Sequence, residues 1–248
     1  MKILCINTRK GIGDQVLFTS YIHAISKKFK TPVSLLAKEN SKAKDLFADD
    51  NHINEIITLE KEMDGIGGIF KLTSELKKRA FDKIFIFNSS LRYNLIARLA
   101  GIKSIYQYPF SFGKKDNMVI SAKIFTEDVT GKVVSTEPSL IIKNTENNFD
   151  KNFRHIVLGI TASGKTKIWD INNYIRLAEE LSKKMRCKFY IAAGPNDVDL
   201  INKFKESDVG KNSISFEKFS IKETLPIIKN CDCYIGNDTG FAHISVAL

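Results

Sequence analysis

The stretch “KILCINTRKGIGDQVLFTS”, residues 2–20, joins a short apolar run to a glycine-containing turn and then to a helical pattern. A short apolar run bounded by polar residues is typical of a buried strand. Behind the turn, apolar residues recur with the helical period at Val16, Tyr21, Ile22 and Ile25. This spacing predicts a helix over about 14–29. A strand, a turn and a helix in this order predict the first unit of a parallel α/β sheet.

The same alternation continues along the chain and restarts after a polar stretch. In the first half we predict strands at 2–7, 32–37, 53–59, 83–88, 104–108 and 117–121, with helices at 14–29, 69–79 and 91–100. In the second half we predict strands at 155–160, 187–193, 213–216 and 232–236, with helices at 172–184, 197–206 and 222–229. Alternating strands and helices predict an α/β protein built from two Rossmann-like domains with a cleft between them.

The predicted domains span residues 1–130 and 154–248, and the polar segment 131–153 between them is predicted to be a linker. The chain ends on “NDTGFAHISVAL”, which resembles the first turns of an apolar helix. A helix that is apolar on all sides should be buried. We therefore expect the second domain to be cut short at its C-terminus.

Composition limits the class of protein. The chain has 248 residues, 43% of them hydrophobic, and a formal net charge of +10. No apolar run reaches the roughly 18 residues that span a bilayer, and the N-terminal run is too short for a signal peptide, so we expect a cytoplasmic protein. The charge favours a polyanionic partner, although a solvated lysine-rich surface explains it equally well. Because no dense basic run contains interleaved aromatic residues, nucleic acid is not favoured.

The four cysteines, Cys5, Cys187, Cys231 and Cys233, lie mostly within apolar runs. We expect them to be buried, reduced thiols. Cys231 and Cys233 lack a second pair of ligands, so the sequence predicts no metal site.

The first glycine turn contains a carboxylate where a phosphate-binding loop would hold an anion. Gly11 and Gly13 fit the dinucleotide fingerprint, but Val16 stands where that fingerprint needs a third glycine. Asp14 would also repel a phosphate from the N-terminus of the helix. A nicotinamide site is therefore disfavoured. Two interpretations of Asp14 stay open, a helix cap and a base that takes a proton from a hydroxyl group.

A second motif, “GITASGKT” at residues 159–166, matches the phosphate-binding loop of P-loop NTPases letter for letter. In a P-loop the helix opens at the GK[ST] residues, whereas here the helical signal begins later, with Asp170 or Asn172 as the cap. Hydroxyl groups and a cation ahead of a helix still form an anion site, which Thr161, Ser163 and Lys167 would supply. The alternative is an ordinary polar loop.

Two further stretches follow predicted strands of the second half. “GNDTGFAH”, residues 236–243, would place polar groups on the first turn of a helix, where a pyrophosphate binds well. These groups are Asp238, Thr239, Gly240 and His243. In “AAGPNDVDL” the acid Asp197 or Asp199 lies where ribose-binding acids often lie. The alternatives are a capped helix with a hydrogen-bonded histidine and an ordinary loop.

Together these motifs resemble the heptosyltransferase family of glycosyltransferases, family 9, which acts on lipopolysaccharide core. Its landmarks are matched in order by “MKILCINTRKGIGDQVLFTSYIHAISKKF”, “NSSLRYNLIARLAG”, “TASGKTKIWDINNYIRLAEEL” and “NCDCYIGNDTGFAHISVAL”. The resemblance covers nearly the whole chain. Family members continue beyond the last of these motifs.

The resemblance implies two Rossmann-like domains of GT-B type and inverting transfer of a heptose from an ADP-heptose donor, with no obligatory metal or other cofactor. It implies that Asp14 is the general base. The first loop, with Gly13, would face the acceptor. There we expect the excess positive charge of Arg9, Lys10 and Arg92 to serve an anionic acceptor. By the same resemblance the donor would be bound by Thr161, Ser163, Lys167, Asp238, Thr239, Gly240 and His243, with Asp197 as a weaker match for the ribose acid. The implied partners are an ADP-sugar, an anionic glycolipid acceptor and, transiently, the inner face of the inner membrane.

Two other functions stay open from the sequence. One is a P-loop ATPase or kinase that uses residues 159–166. The other is a non-catalytic remnant that binds a nucleotide sugar without turnover.

Overall fold

The computed structural model of the protein describes residues 1–108, 117–143, 149–162 and 164–248. The described residues form two compact units, Met1–Ile141 and Ile142–Leu248. The segment 131–153, predicted as a linker, is divided between them. Its first part belongs to the first unit, in which Val134 and Leu140 are buried.

The first unit is an alternation of strands and helices around a parallel sheet. Its elements are β1 (Ile3–Ile6), α1 (Ile12–Leu17), α2 (Thr19–Phe29), β2 (Val33–Lys38), α3 (Ala43–Leu46), β3 (Ile53–Leu59), α4 (Ile69–Arg79), β4 (Lys83–Ile86), α5 (Leu91–Leu99), β5 (Ser104–Gln107) and α6 (Met118–Thr130). The strand order is β3-β2-β1-β4-β5, and each described pair is parallel. Since β1 is central, the loop that follows it lies in the middle of the carboxyl edge of the sheet, where α/β proteins bind their ligands.

The sheet of the first unit is covered on both faces, which explains why β1 reads as an unbroken apolar run. Leu4 and Ile6 belong to a buried cluster with Leu72 and Leu76 of α4 and Ile96 of α5. A second packing layer is aromatic. The Phe87 ring makes edge-on contacts with Phe18 and Phe125, at centroid distances of 5.5 and 5.4 Å. Such pairs add about 0.5–1.5 kcal/mol each beyond the area that they bury.

The predicted strand at 117–121 is wrong, because these residues begin α6. Asn117 caps this helix by accepting a hydrogen bond from the backbone N–H of Val119 at 2.9 Å, and Gly131 ends it in the left-handed conformation with φ of 67°. The β-branched residues in “NMVIS” favoured a strand in the sequence. The sequence does not reveal the buried face of α6, because that face includes Thr126 and Thr130, whose hydroxyls donate to carbonyls one turn earlier.

The single helix predicted at 14–29 is two helices, α1 and α2, which meet at Phe18. The backbone N–H of Phe18 donates to the carbonyl of Gln15 at 3.2 Å, a bond that tightens the last turn of α1. Phe18 is fully buried and packs on Phe87. The interruption therefore coincides with a core contact that periodicity does not report.

The second unit repeats the architecture with a smaller sheet. Its elements are β6 (Arg154–Gly159), α7 (Ile171–Lys184), β7 (Cys187–Ile191), α8 (Val198–Lys205), β8 (Ile214–Ser215), α9 (Ile221–Asn230), β9 (Cys233–Gly236) and α10 (Gly240–Ala247). The strand order among the described residues is β8-β7-β6-β9, again parallel. The strands and helices predicted for the second half are confirmed in type and order.

Two remaining expectations concern the cysteines and membrane spans. All four cysteines are free, but burial was predicted correctly only for Cys5, and Cys233 is exposed. Its exposure follows from its place at the start of β9, an outer strand of the second sheet. Among the described residues, no helix combines the length and the apolar character needed to cross a membrane.

Candidate active site

Asp14 lies at the carboxyl edge of the first sheet, as the third residue of α1. Its Oδ2 atom accepts a hydrogen bond from the backbone N–H of Gly11 at 3.2 Å. The capping interpretation therefore has a counterpart in the structure, although Gly11 and not Asp14 occupies the cap position. Within the described residues no hydrogen bond is made by Oδ1, so one carboxylate oxygen of a half-buried side chain is available to take a proton.

Buried polar side chains fix the backbone on either side of Asp14. Gln15 is fully buried, and its Nε2 donates to the carbonyls of Asn7 and Arg9 at 3.1 and 3.3 Å. On the β4 side, Asn88 accepts from the backbone N–H of Thr8 at 3.2 Å. A loop held by several internal hydrogen bonds keeps the side chain beside it in one geometry. The sequence signal for Asn88 was its position at the end of a predicted strand.

The other residues predicted for the acceptor side of this loop have different environments. Gly13 is buried inside α1, and Lys10 is exposed. The Arg9 guanidinium lies over the Phe18 ring at 5.0 Å and donates to the carbonyl of Phe87 at 3.4 Å. Of these side chains, Lys10 is therefore the more accessible cation beside Asp14.

Arg92 uses its hydrogen-bond donors within the protein. Its Nε atom donates to the carbonyl of Gly65 at 2.8 Å, and Nη2 donates to the carbonyl of Met63. Its Nη1 lies 3.8 Å from the carboxylate of Asp64, which also pairs with Lys38 at 2.5 Å. The Lys38 hydrogen bond is the main reason why the pKa of Asp64 lies below its usual value. Arg92 therefore fixes the segment before α4.

In the second unit the structure brings together Lys167, Asp238 and His243. The Lys167 Nζ atom lies 2.6 Å from Asp238 Oδ2, and His243 Nε2 lies 3.7 Å from Asp238 Oδ1. The hydrogen bond from Lys167 lowers the pKa of Asp238, and the charge of Lys167 adds to that effect. Both partners are more than half exposed, so the ion pair is screened and can exchange for another partner at little cost.

A close contact of two glycines supports these loops. A side chain on Gly236 would place its Cβ 2.6 Å from the Cα of Gly159, and one on Gly159 would meet the Tyr234 hydroxyl at 1.8 Å. These distances leave no room for any other residue. The Tyr234 hydroxyl donates to the carbonyl of Asn237 at 3.2 Å, so the strand ends and the following loop are joined.

Asn237 lies within the candidate site and was missed by sequence reasoning, although it is inside the quoted “GNDTGFAH”. Its Oδ1 accepts from the backbone N–H of Trp169 at 3.0 Å, and its backbone N–H donates to the carbonyl of Gly159 at 2.9 Å. Its Nδ2 is buried without a partner among the described residues. Unpaired buried donors are uncommon and call for an explanation, and a bound ligand is one. The Trp169 ring packs edge-on against Tyr174 at 4.8 Å.

The two helices at this edge differ in how they receive an anion. The Asp170 side chain caps α7 by accepting from the backbone N–H of Asn172 at 2.8 Å, which places a negative charge at that helix N-terminus. By contrast, the cap residue of α10, Thr239, makes no side-chain capping bond. Lys165–Lys167 forms a separate turn of 3₁₀ helix before α7. The helix does not open at the GK[ST] residues, so the P-loop geometry is not formed.

The remaining predicted donor residues lie at neighbouring strand ends. Thr161 follows β6 and is half-buried. Asp197 is the cap residue of α8, and its Oδ2 accepts from the backbone N–H of Gly194 at 3.0 Å, after β7. Ser163 lies outside the described residues. No group of three or more histidine, cysteine or acidic side chains suited to a metal ion occurs in the described ranges.

Comparison with known proteins gives matches that together cover nearly the whole chain. A sequence profile described as glycosyltransferase family 9 (heptosyltransferase) matches residues 69–248. Lipooligosaccharide heptosyltransferase 2 of Campylobacter jejuni is 27% identical over 256 residues, which include 99% of this chain and 78% of the relative.

Two solved structures share the fold at low sequence identity. The structure of E. coli ADP-heptose LPS heptosyltransferase II superposes with a TM-score of 0.79 and 17% identity, over 100% of this chain and 82% of that one. E. coli heptosyltransferase WaaC with ADP-2-deoxy-2-fluoro heptose superposes with a TM-score of 0.72 and 12% identity, over 100% and 86%. These likenesses confirm the predicted α/β fold of GT-B type.

Proposed function

This chain belongs to glycosyltransferase family 9, the heptosyltransferase family, and on that premise we propose that it transfers a heptose from an ADP-activated donor to a lipopolysaccharide core acceptor. The names of its relatives support both substrate classes. The Campylobacter jejuni protein is named as a lipooligosaccharide heptosyltransferase, and one of the E. coli structures contains a fluorinated ADP-heptose.

The observation that carries the catalytic proposal is the position of Asp14 on the first turn of α1, next to a loop that hydrogen bonds fix. One of its oxygens is anchored on Gly11, and the other is free to accept a proton from the acceptor hydroxyl. As that proton moves to Asp14, the hydroxyl oxygen forms a bond to the anomeric carbon of the heptose. The bond from that carbon to the diphosphate breaks, and ADP leaves with the electron pair. A single displacement of this kind inverts the anomeric configuration.

We propose that the donor binds to the second unit, at residues 154–248. The diphosphate would replace Asp238 as the partner of Lys167 and lie at the N-terminus of α10, next to Thr239 and Gly240. The hydroxyls of Thr161 and Ser163 would add hydrogen bonds. Asp238, once released, would accept hydrogen bonds from sugar hydroxyls together with His243, and Asp197 would bind the ribose.

This arrangement requires no obligatory metal. The leaving diphosphate gains negative charge, and the ammonium of Lys167 with the backbone N–H groups of α10 supplies positive charge at that place. The acceptor is an anionic glycolipid, which implies transient contact with the inner face of the inner membrane by a cytoplasmic protein. Arg9 and Lys10, on the loop that also holds Asp14, would interact with anionic groups of the acceptor.

The test is a transfer assay with purified chain, ADP-heptose and a heptose-deficient lipooligosaccharide core. The expected product is a core extended by one heptose, with the anomeric configuration of the donor inverted, as measured by mass spectrometry and NMR. Magnesium-dependent ATP hydrolysis that disappears in Lys165→Ala, with no heptose transfer, would overturn the proposal. The structure argues against that P-loop function in spite of the sequence match, because α7 begins five residues after Thr166.

A further inference from the structure

Large apolar side chains crowd the outward surface of two neighbouring helices in the first unit. On α5, Leu91, Leu95 and Leu99 are spaced four residues apart and are 71%, 47% and 50% exposed. Ile66, three residues before α4, and Phe70, the second residue of α4, are 86% and 81% exposed. These five residues are called the outer face below. Single exposed apolar residues are ordinary, but several on two helices that pack in one cluster indicate an interaction surface.

The outer face is held in place and cannot turn inward. The inner sides of both helices are already committed, since Leu72 and Leu76 of α4 are buried in one cluster with Ile96 of α5. Arg92 binds the carbonyl of Gly65 at 2.8 Å and so ties the segment that holds Ile66 to α5. A helix that is apolar on its outer as well as its inner side needs a second apolar environment.

The charges around the outer face favour an anionic partner. Nearby acids are already engaged in ion pairs, two to each cation. Arg79 pairs with Glu55 and Glu75, and Lys71 lies 3.7 Å from Glu60 and 3.9 Å from Glu62. Exposed cations on and just after the two helices enter no ion pair among the described residues. These cations are Lys77, Lys78, Arg98 and Lys103.

We propose that the outer face is the surface by which this protein docks on an anionic phospholipid bilayer. The leucines, Ile66 and Phe70 enter the interfacial region, and the unpaired cations meet the phosphate headgroups. A second copy of the chain fits less well, because a two-fold contact through this face would set the same cations against each other. The inference deepens the proposed function, on which it rests for the lipid-linked acceptor.

The experiment measures co-flotation of the full chain with vesicles made of equal parts phosphatidylglycerol and phosphatidylethanolamine, without donor or acceptor. Leu91→Ser with Leu95→Ser should weaken the partition by about tenfold or more, because the apolar area they bury no longer leaves water. The matched control is Ile120→Ser with Ile124→Ser on α6, whose side chains are 48% and 51% exposed, and it should bind as the wild type does. Lys77→Gln should weaken binding by about fivefold, and more salt should remove that difference.

Thermal unfolding of each variant checks that it is folded. Because the substituted side chains are exposed, we expect unchanged melting temperatures. Equal vesicle binding by the leucine variant, the α6 control and the wild type would overturn the proposal. So would a wild-type dimer in sedimentation equilibrium that the leucine variant abolishes. Transfer to a delipidated core separates the two ideas. The leucine variant should retain that transfer. If the wild type shows no transfer to the delipidated core, the proposed function is wrong, and vesicle binding stands as an independent result.

Discussion

The carboxyl edges of the two sheets follow the same topology but hold their polar groups in opposite ways. In the first unit, the loop after β1 is fixed by buried groups, with Gln15 fully inside and donating to two carbonyls. In the second unit, the central contact is the exposed ion pair of Lys167 and Asp238. The polar groups of one edge are held by buried hydrogen bonds, and the ion pair of the other is exposed to water.

This difference suits two different tasks. A base must be positioned before the acceptor arrives, because its contribution depends on hydrogen-bond distance and alignment. A diphosphate site must admit and release a charged ligand at each turnover, and an ion pair exposed to water can be replaced at little cost. Under the proposed function, fixed and exchangeable polar groups are distributed by task across a repeated fold.

The largest effect is expected at Asp14. Asp14→Asn should lower the rate of heptose transfer by about 10² to 10⁴-fold, the usual contribution of a positioned proton acceptor. The asparagine Oδ1 can still accept from the Gly11 N–H, so the melting temperature should hardly change. Transfer kinetics and thermal unfolding measure the two properties separately.

The control for this change is Asp208→Asn, which removes an exposed carboxylate in the second unit that pairs with Lys211. It should leave both properties unchanged. A transfer rate near that of the wild type in Asp14→Asn would reduce Asp14 to a helix cap and erase the functional side of the comparison.

Lys167→Ala should weaken ADP binding by about tenfold or more, because a hydrogen bond to a charged group contributes about 1.5–3 kcal/mol. Calorimetric titration of ADP into both proteins measures the change. Lys165→Ala is the comparison that distinguishes this site from a P-loop. If Lys165→Ala weakens nucleotide binding far more than Lys167→Ala does, the exchangeable pair is not the donor site.

Gly236→Ala should destabilise the second unit by about 1–3 kcal/mol, the cost of overpacking a tight contact. The new Cβ would lie 2.6 Å from the Cα of Gly159, so the backbone must move. Gly164→Ala is the matched control, since its Cβ meets no atom within 4 Å. Urea unfolding should separate the two variants, and equal stability would show that the strand ends are looser than the distances imply.

The smallest effect concerns the stability of the exposed pair. Because Lys167 lowers the pKa of Asp238 in the folded state, the pair stabilises the protein fully above the ordinary pKa of 3.8 and loses that contribution as the pH falls through the lowered value. The Asp238 side chain is 62% exposed, so screening should keep this contribution below about 1 kcal/mol.

Asp238→Asn should therefore lose little stability at neutral pH and nothing at strongly acidic pH, as measured by urea unfolding. A loss of more than about 2 kcal/mol would indicate a buried, fixed pair and would remove the contrast between the two edges.

The sequence predicted the order of elements well because most strands and helices bury an apolar face whose period is visible. It failed at α6, where the hydroxyls of Thr126 and Thr130 are buried and bonded within the helix, so the buried face looks polar. It also missed the break at Phe18, because that break depends on a contact with Phe87, which is distant in sequence.

Prediction of the site was limited in the same way, because contacts between residues that are distant in sequence leave no local pattern. Lys167 and Asp238 were each predicted to bind the donor, and their side chains do meet. Their contact joins the loops after two strands of the second sheet, which local patterns do not pair. Asn237 has no distinctive spacing, and its role depends on hydrogen bonds with Trp169 and Gly159. The roles assigned to the site residues stay predictions.

The hydrogen bonds of Arg92 to the segment before α4 bear on two kinetic quantities: the rate at which an anionic partner arrives and the time for which it stays bound. The donors of Arg92 bind the carbonyls of Gly65 and Met63. Its charge is only partly offset, because Arg92 and Lys38 share the single carboxylate of Asp64 and these three residues together carry one net positive charge. Such a charge accelerates diffusional encounter with an anionic partner without holding it afterwards. Arg92 should therefore affect how fast the proposed acidic glycolipid arrives. The residence time of that glycolipid should depend on groups whose hydrogen-bond donors are not used within the protein, such as Lys10.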